Sequence, residues 1–150
     1  MVGNGYQKNN IIKKAESLDV LNKNLFVLNY FPKNELPALL SASTIVSSLF
    51  IDLPEMQNNS ANKFFDALAA GKPVMLNYHG WQYNLIKKNE AGFAIPNNDP
   101  NKAIGIINNY ISNKEKIKNM CLKSKELSKN FTIEKNYVQL KKTIDAIFEG

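Results

Sequence analysis

The chain has one cysteine, one histidine and one tryptophan among its 150 residues, and all 19 of its basic residues are lysine. A lone cysteine excludes a disulfide framework. One cysteine and one histidine also leave almost nothing from which to build a zinc ribbon or a Cys–His nucleophile pair. No apolar run approaches the ~18 residues expected of a bilayer-spanning helix. The chain does not open on a basic region followed by an apolar stretch, so no secretory signal is read. The lack of arginine removes the planar fork that grips phosphate bidentately; lysine offers only a flexible point charge. What is present is ordinary for a globular protein: 44% apolar and 21% charged residues. A chain of this length buries roughly 68–70% of its unfolded surface, so one domain over residues 1–150 needs no covalent staple.

Charge is distributed less evenly. The net charge is +6, and residues 101–150 carry ten lysines against five acids, whereas residues 51–100 carry four lysines against five. A basic tail beside a near-neutral middle suits an anionic ligand or an anionic membrane surface, and by itself does not choose between them. A solvated helix face is the plainer reading of the same lysines.

Hydrophobic periodicity switches repeatedly between two and 3.6, as in alternating strands and helices. Val2 ends a strand at the turn Gly3-Asn4-Gly5, and a helix is expected from Tyr6 to Leu18 with Ile11, Ile12 and Ala15 inward. Leu25–Leu28 reads as a short buried strand, and Asn34 as the cap of a helix carrying Leu36, Leu39 and Leu40. The β-branched run Thr44–Phe50 predicts a strand. A polar stretch, Asp52–Ser60, leads to the clearest helix, Asn62–Ala70, stopped by Gly71 and Pro73. Pro73–Asn77, Trp81–Lys88 and Gly92–Pro96 read as strand, helix and strand, and three helices follow Pro100. This order predicts an α/β fold: a Rossmann-like, doubly wound parallel sheet with a helical C-terminal tail. Because the chain opens at a strand's last residues, an N-terminally truncated piece of a longer protein is expected.

The run Asn62-Lys63-Phe64-Phe65-Asp66-Ala67-Leu68-Ala69-Ala70-Gly71-Lys72-Pro73-Val74 resembles the donor-binding segment of family-four retaining glycosyltransferases, which have the GT-B architecture. The motifs around it fall in the same order as in that family. They are Val2-Gly3-Asn4-Gly5, Leu25–Pro32 with Glu35-Leu36, Asn77–Gln82 with Leu85-Ile86, Ala91-Gly92-Phe93 with Pro96, and Phe131–Glu134. The Ser-x-Asn-Lys-Phe-Phe-Asp form and the Gly-Trp-Gln turn most resemble bacterial enzymes of surface-polysaccharide synthesis, near the amino-sugar transferases of O-antigen and capsule pathways. The resemblance implies the C-terminal, nucleotide-sugar-binding half of a two-domain enzyme, with the N-terminal acceptor half missing.

It also implies roles for named residues. Ser60, Ala61, Asn62 and Lys63 open the helix whose amides would meet the donor diphosphate. The capping alternative gives Ser60 no further task than closing that helix. The family's Glu-x7-Glu pair falls on Asn58 and Asp66. Asp66 would hold the ribose hydroxyls, or else form only an i,i+3 pair with Lys63. Asn58 is not acidic and would only hydrogen-bond the sugar, unless Glu55 reaches in instead. Gly3 and Gly5 would form the strand-end glycine turn, while Tyr30, Phe31 and Lys33 would face the nucleobase. His79 is expected to be a turn histidine, Cys121 a packing residue, and Trp81 either cleft lining or core cover.

The function expected is sugar transfer from a nucleotide-diphosphate sugar to a polysaccharide or lipid-linked acceptor, with no cofactor and no metal. The protein would be cytoplasmic, peripheral at the inner face of an anionic membrane, with no nucleic-acid partner. Three other readings compete. One is a non-catalytic Rossmann-like interaction module with a decayed donor site. Another is nonspecific nucleic-acid binding through the basic tail, which would be steeply salt-dependent. The third is a sugar-nucleotide epimerase, for which acid–base residues are lacking. The turn Gly3-Asn4-Gly5-Tyr6-Gln7-Lys8 lacks the third glycine of a dinucleotide fingerprint, which disfavours nicotinamide or flavin.

Overall fold

A computed structural model of the protein describes residues 1–148; Glu149 and Gly150, the last two residues of the expected domain, lie outside it. The chain divides into two compact units, Met1–Leu39 and Leu40–Gly150.

The first unit is built around α1 (Lys8–Ser17), which buries Ala15 and half-buries Ile11 and Ile12 as their spacing predicts. Leu25–Leu28 does not form the expected buried strand. It contributes two isolated bridges, Val2 to Leu28 and Leu21 to Leu25, and leaves Phe26 and Leu28 exposed. Apolar β-formers become a strand only where a neighbour offers a ladder, and here Val2 offers one rung. Helix α2 (Leu36–Ala42) spans the boundary between the units. Its first returning bond runs from the Leu39 N–H to the Glu35 carbonyl, so Glu35, and not Asn34, occupies the capping position.

The second unit is a three-stranded parallel sheet in sequential order. β1 (Val46–Ser48), β2 (Val74–Leu76) and β3 (Gly92–Ala94) align Val46 with Val74 and Val74 with Gly92. The connections are α3 (Asn62–Ala69) and α4 (Trp81–Lys88), and the tail is α5 (Pro100–Ile111), α6 (Lys114–Ser128) and α7 (Ile133–Phe148). The strands, α3 and α4 fall within the spans their sequence patterns predicted, with strand ends shortened, and three helices follow β3 as expected. Parallel strands joined by helical crossovers make the Rossmann-like α/β fold that the element order called for.

One apolar cluster holds the unit together. Phe64, Ala67 and Leu68 of α3 meet Val74 and Leu76 of β2, Ile86 of α4 and Leu127 of α6. Burying each large member contributes about 1.5–3 kcal/mol. Helix α3 stops at Gly71, which takes φ 66, a conformation that costs glycine little. Helix α6 fastens the far end of α3: Lys125 Nζ donates to the Ala69 carbonyl at 2.6 Å, a cation against a helix C-terminus. At the preceding position, buried Ser124 donates to the Ala91 carbonyl at 2.9 Å, just before β3.

Candidate functional site

In a parallel unit the helix that follows a strand runs back against it, so α3 begins beside the carboxyl ends of the strands. Its N-cap is Ala61 in an extended conformation (φ −74, ψ 130), with no side-chain cap and no acidic residue in the first turn. Ser60 therefore does not cap α3. It sits one residue too early for its hydroxyl to reach the first-turn amides. The Phe64 N–H returns to the Ala61 carbonyl at 3.0 Å. The amides of Asn62 and Lys63 have no backbone partner among the described residues. Uncapped amides and the aligned peptide dipoles make this a positive end.

Lys63 adds a full charge to that end. Its Nζ lies 4.4 Å from the centroid of the Phe50 ring, and Phe50 in turn meets Tyr78 edge to face at 5.4 Å. Partial burial holds the Lys63 amine below its ordinary value. The Lys63–Asp66 pair expected as the plainer reading is not made. The ion pairs among the described residues are Lys23–Asp19 and Lys141–Asp145. Helical side chains lean toward the N-terminus, which carries Lys63 over the Phe50 ring and away from Asp66 one turn behind. A partly desolvated ammonium without a carboxylate, at the positive end of a helix, favours an anion at this place. Asp66 is exposed, and its carboxylate has no partner among the described residues.

The segment before α3 is more ordered than its polar composition suggests. Pro54–Asn58 forms a short 3-10 helix with Glu55 in its first turn and exposed Asn58 at its end. Gly80, at φ 107, lies directly against it: a Cβ on Gly80 would stand 2.1 Å from the Gln57 carbonyl oxygen. The Trp81 indole Nε1 donates to the Asn59 carbonyl at 2.9 Å. The Trp81 ring centroid lies 5.9 Å from that of Phe64 and 6.1 Å from that of Phe65. Trp81 thus covers the aromatic edge of the core and ties down the loop that precedes α3.

The strand tips are joined by Asn77. Its side chain accepts from the Phe50 N–H at 2.9 Å, donates to the Phe50 carbonyl at 2.8 Å, and also donates to the Asn97 side chain. A cavity of about 310 Å³ opens there, lined among others by Asp52, Gln57, Asn77, His79 and Asn97. None of the expected donor residues lines it. His79 is exposed, rests edge-on against Tyr83 with ring centroids 4.6 Å apart, and has no carboxylate partner in the described residues. Behind it, Tyr78 donates to Gln82 Oε1 and lies 3.4 Å from Ser48 Oγ in a buried polar chain. Burial raises the Tyr78 phenol above its ordinary range. Phe50, Asn77 and Gly80 are the contributors that sequence reasoning missed.

In the first unit Gly3 and Gly5 line a cavity of about 220 Å³ with Gln7, Lys8 and Ile11. Lys8 Nζ donates to Asn4 Oδ1 at 2.9 Å and to Asn29 Oδ1 at 2.6 Å. Tyr30 and Lys33 are exposed, and Phe31 is half-buried.

A parallel α/β unit with an open, cationic helix start beside its strand tips has the geometry in which an anion is stabilised at a sheet's carboxyl edge. The chain belongs to the family described as Glycosyl transferases group 1, whose profile matches residues 1–127. Three crystal structures of Alr3699/HepE from Anabaena share its fold, and they are described as complexes with UDP, with UDP-glucose, and with UDP and glucose. They give TM-scores of 0.78, 0.78 and 0.77 at 19%, 20% and 19% identity over 97% of this chain. The fold is that of part of a GT-B glycosyltransferase, and the chain spans 40%, 40% and 39% of the length of those three. No curated protein matches the sequence.

Proposed function

We propose that the chain is the donor-binding half of a retaining, family-four glycosyltransferase, moving a sugar from a nucleotide-diphosphate sugar to a polysaccharide or lipid-linked acceptor. The observation that carries this reading is the uncapped, acid-free start of α3 with the Lys63 ammonium beside it, in a chain of this family. As the glycosidic bond breaks, negative charge grows on the leaving diphosphate, and fixed amides with a lysine would stabilise it without reorganising. Ser60, Ala61, Asn62 and Lys63 would meet the phosphates, Asp66 the ribose hydroxyls, and Asn58 the sugar. Gly3, Gly5, Tyr30, Phe31 and Lys33 of the first unit are proposed, from the family resemblance, as donor-binding residues. Catalysis would come from positioning and electrostatics, with no metal and no cofactor.

The acceptor would be held by a second half that this chain does not contain. The 40% coverage of HepE supports that arrangement. Bacterial O-antigen or capsule synthesis at the cytoplasmic face of an anionic membrane suits the lysine excess. Among the described residues no helix is long and apolar enough to cross a membrane.

Calorimetric titration of the full protein with UDP and GDP, and with their sugars, tests the reading. Asp66→Ala is expected to weaken nucleotide binding at least tenfold without changing the thermal midpoint. Unchanged affinity removes Asp66 from the site, and a wild-type protein that takes up neither nucleotide removes the donor-site reading.

A further inference from the structure

The proposed sugar and phosphate contacts fall on Asn58–Lys63, a segment in which Asn58 closes the short 3-10 helix and Asn59, Ser60 and Ala61 lie outside any helix or strand before α3 begins. Something must hold it, and the structure has two grips, both from one dipeptide. The Gln57 carbonyl, immediately before Asn58, presses against the bare Cα of Gly80. The Asn59 carbonyl, immediately after Asn58, accepts from the Trp81 indole at 2.9 Å. The Trp81 ring is itself fixed against Phe64 and Phe65 of α3, the helix whose amides the segment leads into.

We infer that Gly80 and Trp81 are positioning residues: a clamp that closes on either side of Asn58 and sets its place relative to the start of α3. This rests on the donor-site reading above. Gly80 cannot be exchanged, because a Cβ at φ 107 is strained and would stand 2.1 Å from a backbone oxygen. Trp81 couples two tasks that substitution can separate. Phenylalanine keeps most of the ring's packing and lacks the N–H, so it frees the Asn59 carbonyl while leaving the aromatic edge of the core covered. Without that bond the segment must be ordered by the ligand itself, and the cost comes out of binding.

Trp81 is the only tryptophan in this chain, and its indole cross-peak in a nitrogen-15 correlation spectrum is identified as the one that disappears in Trp81→Phe. In the full protein that N–H is expected to exchange with solvent many times more slowly than a free indole. Trp81→Phe is expected to keep the thermal midpoint within a few degrees of wild type while UDP affinity falls roughly three- to tenfold, the measure of one hydrogen bond. Trp81→His, which restores a ring N–H, is expected to recover part of that loss. Gly80→Ala is expected to lose more, and if it does not fold, Trp81→Phe alone decides the matter. An indole exchanging like a free one, or Trp81→Phe binding UDP as tightly as wild type, overturns the clamp and leaves the donor site standing. A wild-type protein that binds neither UDP nor GDP overturns the donor site and the positioning role together.

Discussion

Helices α3 and α7 carry the same sequence signal and meet opposite fates. Both repeat apolar residues on one face: Phe64, Ala67 and Leu68 in α3, and Ile133, Tyr137, Leu140, Ile144 and Ile147 in α7. In α3 all three are fully buried, at 0% exposure. In α7 no residue is buried, and its apolar positions run from 43% exposed at Ile144 to 84% at Ile133. Periodicity establishes that a helix has a face; it says nothing of what the face meets. For α3 the answer was written next door, in Pro73-Val74-Met75-Leu76, a short apolar run set off by Gly71 and Pro73 that reads as a buried strand beside it. For α7 the residues just before it, Lys129 to Thr132, form no such apolar run.

The largest test of that contrast is a matched pair of truncations. Leu68→Ala is expected to cost about 2–5 kcal/mol by removing methylenes from a closed core, whereas Leu140→Ala should stay within about 0.5 kcal/mol. Urea unfolding of both variants reads the difference, and equal losses would mean that α7 is packed after all. A smaller effect sharpens the α3 side. Ser124→Ala removes one of the two donors to the Ala91 carbonyl, leaving the Val74 N–H, and is expected to cost about 0.5–1.5 kcal/mol, with β3 losing amide protection before β1. An unchanged denaturation midpoint would show the hydroxyl to be dispensable.

The smallest effect concerns charge at the start of α3. Burial lowers the Lys63 pKa from its ordinary 10.5, so between the two values the unfolded chain holds more protons and folding stability rises with pH. Anion binding runs the other way. It needs the ammonium, so UDP affinity is expected to fall as pH rises through the lowered Lys63 value, below 10.5. Lys63→Gln should bind more weakly and show no such alkaline limb. If the limb persists in that variant, another group is responsible for it.

Much of the fold was legible because its signals are local. The Gly71 and Pro73 punctuation ended α3 where expected, and the last three elements are helices as expected. What was not legible depends on neighbours distant in sequence. Leu25–Leu28 has the composition of a strand, and its partner supplies one rung. Ser60 has the chemistry of a cap and sits one residue early. Asp66 and Lys63 have the spacing of an ion pair, and Lys63 turns instead to an aromatic ring thirteen positions earlier. The family segment Asn62–Val74 was readable as a motif, yet the parts that brace it were not. Asn77 and Gly80 look like ordinary turn residues until the backbone they touch is known.

Asn77 has one more implication. Backbone pairing between β1 and β2 ends at Ser48 and Leu76, and beyond it the Asn77 amide exchanges two hydrogen bonds with Phe50 as another peptide would. The sheet is in effect one rung taller than its main chain, and the same amide also reaches Asn97. The roots of three loops are therefore knotted at a single side chain and must travel as one piece.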